Sequence, residues 1–184
     1  MKRAGVWGVG ILLLVAAWFV TQVTPGQELT ESSFIQTVAV GDHAVGREMI
    51  VTVTDVGAAD ALSDANGWSA EGNWVFVDAD VESRSTEISV RLGLAVLVID
   101  GATYRASERP EASLLGRQLE VGVPTSGSLA FELPADLRRG DAVIRLTVDD
   151  QDWRLDSVVE LPVELGQLPR DDDHELAALS GGGV

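Results

Sequence analysis

Residues Trp74–Val81 read WVFVDADV, and their pattern is the starting point for predicting the fold class. Small and branched apolar residues occupy every second position, namely Val75, Val77, Ala79 and Val81. Because successive side chains of a β-strand point to opposite faces, this alternation predicts a strand with one face on a core. The other face carries Trp74, Phe76, Asp78 and Asp80.

The same alternation recurs on both sides of this stretch. Apolar residues at alternate positions predict strands in Arg47–Val56, Ile88–Ile99, Leu129–Leu133, Ala142–Val148 and Trp153–Leu161. Turn residues separate the runs, and Asp100-Gly101 predicts a hairpin because this pair tolerates the positive φ angles of a type I′ turn. Helical patterns are short by comparison. Pro110–Gln118 suits one or two helical turns, and Pro134–Arg138 suits one.

Seven to nine short strands, each apolar on one side, are typical of an antiparallel β-sandwich. A closed barrel is the alternative. We expect the sandwich domain to cover residues 34–165. The last segment, 166–184, combines an acidic run with terminal glycines and shows no strand pattern, so we expect it to be disordered.

The N-terminal segment predicts a membrane anchor. Lys2 and Arg3 precede an apolar run, and residues 6–23 would span roughly 27 Å as a helix, close to the thickness of a bilayer core. The positive flank places the N-terminus in the cytoplasm and the rest outside. Residues 1–23 are thus expected to form one transmembrane signal-anchor helix, followed by a linker at 24–33. A cleaved signal peptide is the alternative, and in that case the domain is secreted.

Composition excludes several classes of protein. The chain has 184 residues, no cysteine and a formal net charge of −16. Without cysteine there are no disulfides, no thiol catalysis and no lipid attached through a lipobox cysteine. The large acidic excess argues against nucleic-acid binding, because phosphates would be repelled.

Three segments occur in order along the chain: GNWVFVDADV at Gly72–Val81, LVIDGATY at Leu97–Tyr104 and GSLAFELP at Gly127–Pro134. Together they resemble the DUF4352, telokin-like family of bacterial exported proteins. The resemblance covers roughly Gln36–Leu161. It implies an immunoglobulin-like sandwich displayed outside the membrane, with no enzymatic activity and no established ligand. Many relatives carry a lipobox cysteine, which this chain lacks, so the apolar N-terminal segment would have to anchor it.

The sequence offers little for catalysis or metal binding. His43 lies in a turn signal and His174 in the tail, so a catalytic serine has no convincing base and a histidine metal site has too few ligands. Calcium is possible at the aspartates of 149–152 or 171–173, although neither cluster follows the EF-hand order. Asp78 and Asp80 would lie about 6.5–7 Å apart on one strand face, a spacing that suits acid–base sugar chemistry. We interpret them instead as charges on an outward face. We therefore predict no catalytic residue, no metal ligand and no cofactor.

Aromatic residues give the candidate contact residues. Trp68 lies in a loop and is available for surface contact or for folding back as a lid on the core. Trp74 and Phe76 share the strand face opposite the valines, and these three residues form the candidate partner contact. The sequence thus favours a non-enzymatic, membrane-anchored extracytoplasmic module that binds another envelope or membrane protein. The alternative is a module that binds calcium or a cell-wall saccharide.

Overall fold

The computed structural model describes residues 34–85, 90–148 and 157–181, and the regular elements in these ranges are all strands. They are β1 (Phe34–Thr37), β2 (His43–Val45), β3 (Met49–Ser63), β4 (Ser69–Ser83), β5 (Val90–Arg91), β6 (Leu94–Ile99), β7 (Ala102–Arg105), β8 (Gln118–Leu119), β9 (Thr125–Leu133), β10 (Asp141–Thr147), β11 (Ser157–Glu164), β12 (Arg170–Asp171) and β13 (His174–Glu175). Within the described ranges no helix is long and apolar enough to cross a membrane. The predicted anchor at 1–23, the linker at 24–33, Trp153 and the 149–152 aspartates lie outside these ranges.

Two main sheets form the fold. The first has the strand order β1-β11-β10-β6-β7, in which β1 runs parallel to β11 and the other neighbours are antiparallel. The second has the order β12-β3-β4-β9, and β2 and β13 also pair with β3. β5 and β8 form a separate two-stranded ribbon.

One apolar core joins the inner faces of the two sheets. Val75, Val77, Ala79 and Val81 of β4, together with Leu129 and Phe131 of β9, belong to the same buried cluster as Leu97, Ile144 and Val159 from the other sheet. The alternation in Trp74–Val81 therefore places its valines in the core, as the sequence predicts. The fold is a β-sandwich, and the barrel alternative is wrong.

Two irregularities in β3 change which of its residues face the core. The pairing of β3 with β4 shifts register between Val53 and Asp55 and again between Ala59 and Ala61. Before the first shift, Val51 and Val53 face the core. After it, the inward position passes to Val56, which is buried in the same core. Asp55 holds this irregularity, because its Oδ1 accepts the Val56 N–H at 2.8 Å.

The hairpin predicted at Asp100-Gly101 is confirmed, and it joins β6 to β7. Asp100 and Gly101 have φ angles of 49° and 78°, as a type I′ turn requires, and Ile99 pairs with Ala102 across it. The helical turns considered at 110–118 and 134–138 are instead simple turns, with β8 at the end of the first segment.

The prediction of a disordered segment at 166–184 is wrong for its described part. β12 and β13 pair in parallel with Ala58–Ala59 and Leu62–Ser63 of β3. The chain then reaches β9, where Ser180 forms an antiparallel bridge with Ser126. The segment escaped the sequence analysis because each strand has only two residues, too few for any alternation to register. The ordered domain therefore extends beyond the predicted boundary at 165.

Candidate functional site

Two of the three predicted contact residues are buried. Trp74 is 0% exposed and Phe76 is 3% exposed, although both lie on the outer face of the β3-β4-β9 sheet. They form a second apolar cluster with Ala59, Leu62, Ala130 and Leu176, which we name the outer-face cluster. Trp68 packs against it. The prediction that Trp74 and Phe76 contact a partner is therefore wrong. Their covering comes from the C-terminal segment, which the sequence analysis left unpaired.

The C-terminal segment covers this outer face through specific contacts. The His174 ring stacks on Phe76, with centroids 3.7 Å apart, and Leu176 is 2% exposed in the cluster. The Ala177 N–H donates to Ser128 Oγ at 2.8 Å. We name residues 169–181 the C-terminal strap. Its start is fixed by Arg170, which donates to Asp60 Oδ1 at 2.7 Å and to Asn73 Oδ1 at 3.0 Å.

Trp68 acts as a lid on the outer-face cluster. Its ring meets Trp74 edge-on, with centroids 5.8 Å apart and planes at 85°. The Arg109 guanidinium lies 5.6 Å from the Trp68 ring and 5.5 Å from the Trp74 ring, within cation–π range. Arg109 also pairs with Glu132 at 2.9 Å, and both of these side chains are about half exposed. We name Trp68, Arg109 and Glu132 the tryptophan–arginine patch. It presents only part of Trp68 to solvent.

Asp64 fixes the loop that carries Trp68. Its Oδ1 accepts the N–H groups of Asn66 and Trp68 at 2.9 and 3.0 Å, and its Oδ2 accepts that of Glu111 at 3.0 Å. Burial acts to raise the pKa of this carboxyl, but backbone N–H donors, including those of Trp68 and Asn66, outweigh it and hold the pKa below its usual value. The Asp64 carboxylate thus ties the Trp68 loop to the loop at Glu111.

The paired aspartates of β4 are each bonded to a serine of β9. Ser128 Oγ donates to Asp78, and Ser126 Oγ donates to Asp80. Desolvation raises the pKa of Asp78; the Ser128 hydrogen bond and nearby His174 oppose the shift, and nearby Asp55 adds to it. The strap covers Ser128 and approaches Asp78. The face predicted to be outward is thus partly enclosed at Asp78.

The two histidines lie on different strands, and the Nδ1 atom of each has one polar side-chain neighbour. His43 is exposed and its Nδ1 lies 2.9 Å from Thr52 Oγ1. His174 lies in the strap, with its Nδ1 3.2 Å from Asp171 Oδ2. Among the described residues, no three His, Asp or Glu side chains are grouped as metal ligands would be.

A surface groove beside β11 is a feature that the sequence analysis missed. It has a volume of 580 Å³ and is lined by Thr37–Val40, Asp42, Val56, Leu161–Glu164, Gln167 and Leu168. We name it the β11 groove. Val56 and Leu161 belong to the buried core beneath it, whereas Val40 is 45% exposed at its rim. The groove joins the apolar core to the surface of the sandwich.

Pro162 explains why the groove is open. β1 pairs in parallel with β11 from Phe34 to Thr37, and the Val38 N–H donates to the Glu160 carbonyl at 2.9 Å. The next bond of a parallel ladder would run from the N–H of residue 162 to the Val38 carbonyl, and proline has no N–H. β1 therefore leaves the sheet after Val38 and continues to β2. The available sequence signal for this opening was the proline directly after the strand predicted at Trp153–Leu161.

Comparisons with known proteins give a sparse result. No family model matches the chain, and no curated protein matches it. Among solved structures, the chain is similar to an uncharacterized beta-sandwich protein from Clostridium difficile 630. The TM-score is 0.47 and the identity is 10%, over 71% of this chain and 96% of that chain.

Proposed function

We propose that this chain is a non-enzymatic, immunoglobulin-like module outside the cell membrane that binds another envelope protein through the β11 groove. The groove carries the proposal, because it is a concave apolar site that opens onto a strand edge. Interfaces of this kind form where a partner covers apolar surface and unpaired backbone together.

The strand order supports the immunoglobulin-like part of the proposal. Immunoglobulin domains place strands A, B and E in one sheet and strands C, F and G in the other. β3-β4-β9 matches the order A-B-E, and β6-β10-β11 matches C-F-G. β7 adds one strand next to β6. This topology agrees with the fold that the resemblance to the DUF4352 family implies.

The N-terminal sequence supports the proposed location. Residues 6–23 are long and apolar enough for one membrane span, and Lys2 and Arg3 favour a cytoplasmic N-terminus. In this reading, residues 24–33 link the anchor to the sandwich. A partner in the same membrane would then be within reach, since ten residues extend to at most about 35 Å.

Photo-crosslinking in membranes of the native host tests the proposal. A benzoylphenylalanine at Val40 reports on the groove, and one at Thr103 serves as a control. Thr103 is exposed on β7, at the opposite edge of the same sheet. We expect the full chain to stay in the membrane fraction after carbonate extraction, and Val40 to capture one defined membrane protein that Thr103 does not. Equal capture at both positions, or none, would contradict the proposed function.

The alternative ligand-binding function makes a different prediction. A calcium module gains thermal stability when calcium is added, because a ligand that prefers the folded state stabilises it by mass action. We expect the melting temperature to be the same in calcium and in chelator. A clear rise with calcium would favour the alternative.

A further inference from the structure

We propose that the β11 groove accepts an extended segment of the partner, which pairs with the exposed edge of β11. An apolar side chain of this segment would enter the groove, and a cationic side chain nearby would meet the acidic rim. This inference rests on the proposed function and names the chemistry of its partner.

The backbone of β11 offers the pairing groups. The carbonyl of Glu160 points toward β1, because it accepts the Val38 N–H. Backbone groups alternate sides along a strand, so the Pro162 carbonyl and the Glu164 N–H point in the same direction. β1 has left the sheet at this point. An added strand thus meets one acceptor and one donor two residues apart, which is the spacing of a β-ladder.

The floor of the groove suits an aliphatic side chain. Val38, Val56 and Leu161 are 8%, 9% and 3% exposed and provide apolar contact below the added strand. Leu168 closes one side of the groove, and Val40 stands at the rim. Alternate side chains of the added strand would point into the groove, so the apolar residue fixes the register of the segment.

The rim selects the charge of the partner. Asp42 and Glu164 carry the charges among the described lining residues, and both are acidic. Asp42 is held in place, because its Oδ2 accepts the Ala39 N–H at 2.8 Å. The chain as a whole carries −16, so an acidic segment is repelled and a lysine or arginine is favoured.

A random peptide library displayed on phage, selected against the full chain in detergent micelles, tests the inference. We expect an enriched sequence with an aliphatic residue and a lysine or arginine nearby. Binding of the corresponding synthetic peptide should fall about tenfold in Val40→Ser, since one valine contact at the rim is lost and no charge is added. It should fall up to about fivefold in Glu164→Gln, and less so at high salt.

Pro162→Val is the sharpest variant. Valine supplies an N–H that can donate to the Val38 carbonyl, so β1 could continue past Val38 and the chain would close its own groove. We expect peptide affinity to fall tenfold or more while thermal stability is retained or increased. Pro134→Ala is the matched control, because Pro134 is exposed at another site and its carbonyl is kept.

The outcomes separate the two proposals. No enriched peptide, a peptide without the apolar and cationic pair, or full affinity in Pro162→Val would overturn strand addition. Capture at Val40 in host membranes would still support the proposed function in that case. Loss of that capture, with normal peptide binding, would instead count against the envelope partner.

Discussion

Asp64 lies in the loop between β3 and β4, Asp78 lies within β4, and their pKa values shift in opposite directions. Asp64 is 6% exposed, yet several backbone N–H groups stabilise its charge. Asp78 receives a hydrogen bond from the Ser128 hydroxyl, which does not overcome desolvation and the nearby Asp55. The number of N–H donors decides the direction of the pKa shift, because a carboxylate that accepts several N–H hydrogen bonds keeps its charge when it is buried.

Asp64→Asn should destabilise the fold by about 1–3 kcal/mol at neutral pH, because an amide NH₂ group would face backbone donors. A lowered folded pKa contributes stability above the unfolded pKa of about 3.9, and this stability is lost as the pH falls through the folded pKa. The difference from the wild type should therefore shrink in acid. Urea unfolding at several pH values measures it. Asp100→Asn is the control, since asparagine also tolerates the φ of 49° at that turn. A difference that does not change with pH would contradict this assignment.

Asp78→Asn should have the opposite pH profile. A raised folded pKa contributes stability below the unfolded pKa of about 3.9, and this contribution is lost as the pH rises through the folded pKa. The variant avoids burying a charge and keeps an acceptor for Ser128. We expect a higher melting temperature than the wild type at pH 7 and a smaller gain near pH 3, measured by thermal unfolding. A lower melting temperature at pH 7 would show that the charge stabilises the strap.

Among the elements, the longer strands could be predicted from the sequence, whereas the C-terminal strap could not. Alternation located β3, β4, β6, β9 and β10, because each has one face on the core. The strap has no such pattern, and its position depends on the outer-face cluster it covers. One signal was present: residues 74–77 read WVFV, and a strand that is apolar on both faces is typically covered on both. The candidate contact at Trp74 and Phe76 failed for this reason.

Leu176→Ala tests how firmly the strap is held. Leu176 is buried in the outer-face cluster, so the variant should lose about 2–5 kcal/mol of unfolding free energy. Tryptophan fluorescence should shift to the red as Trp74 gains access to water. Ala178→Ser is the matched control, because Ala178 is an exposed residue of the same segment. Unchanged fluorescence and stability in Leu176→Ala would mean that the strap does not protect the cluster.

At the scale of the whole molecule, the sandwich was predictable and the groove was not. The class follows from many strands with one apolar face each, which leaves few ways to bury those faces. The groove depends on a single missing N–H at Pro162 and on the path that β1 takes afterwards. Such a feature is tertiary, since it needs the pairing partner of β11 as well as its sequence.

Both edges of the second sheet are covered by other segments of the chain. β2 and the strap pair along β3, and the chain at Ser107, Leu114 and Ser180 bonds along β9. In the first sheet, β11 loses its neighbour after Val38. An exposed strand edge is a template for another chain, and most proteins cover it. β7 is also an edge strand of this sheet, but the open stretch of β11 has the apolar groove beside it, which makes it the better site for a partner strand.

Hydrogen exchange followed by mass spectrometry on the full chain, with and without the selected peptide, tests whether the β11 groove is the binding site. We expect slower exchange in residues 38–42 and 161–168, with residues 64–68 and 107–111 unchanged. Protection of the tryptophan–arginine patch, with an unprotected β11 groove, would contradict this prediction.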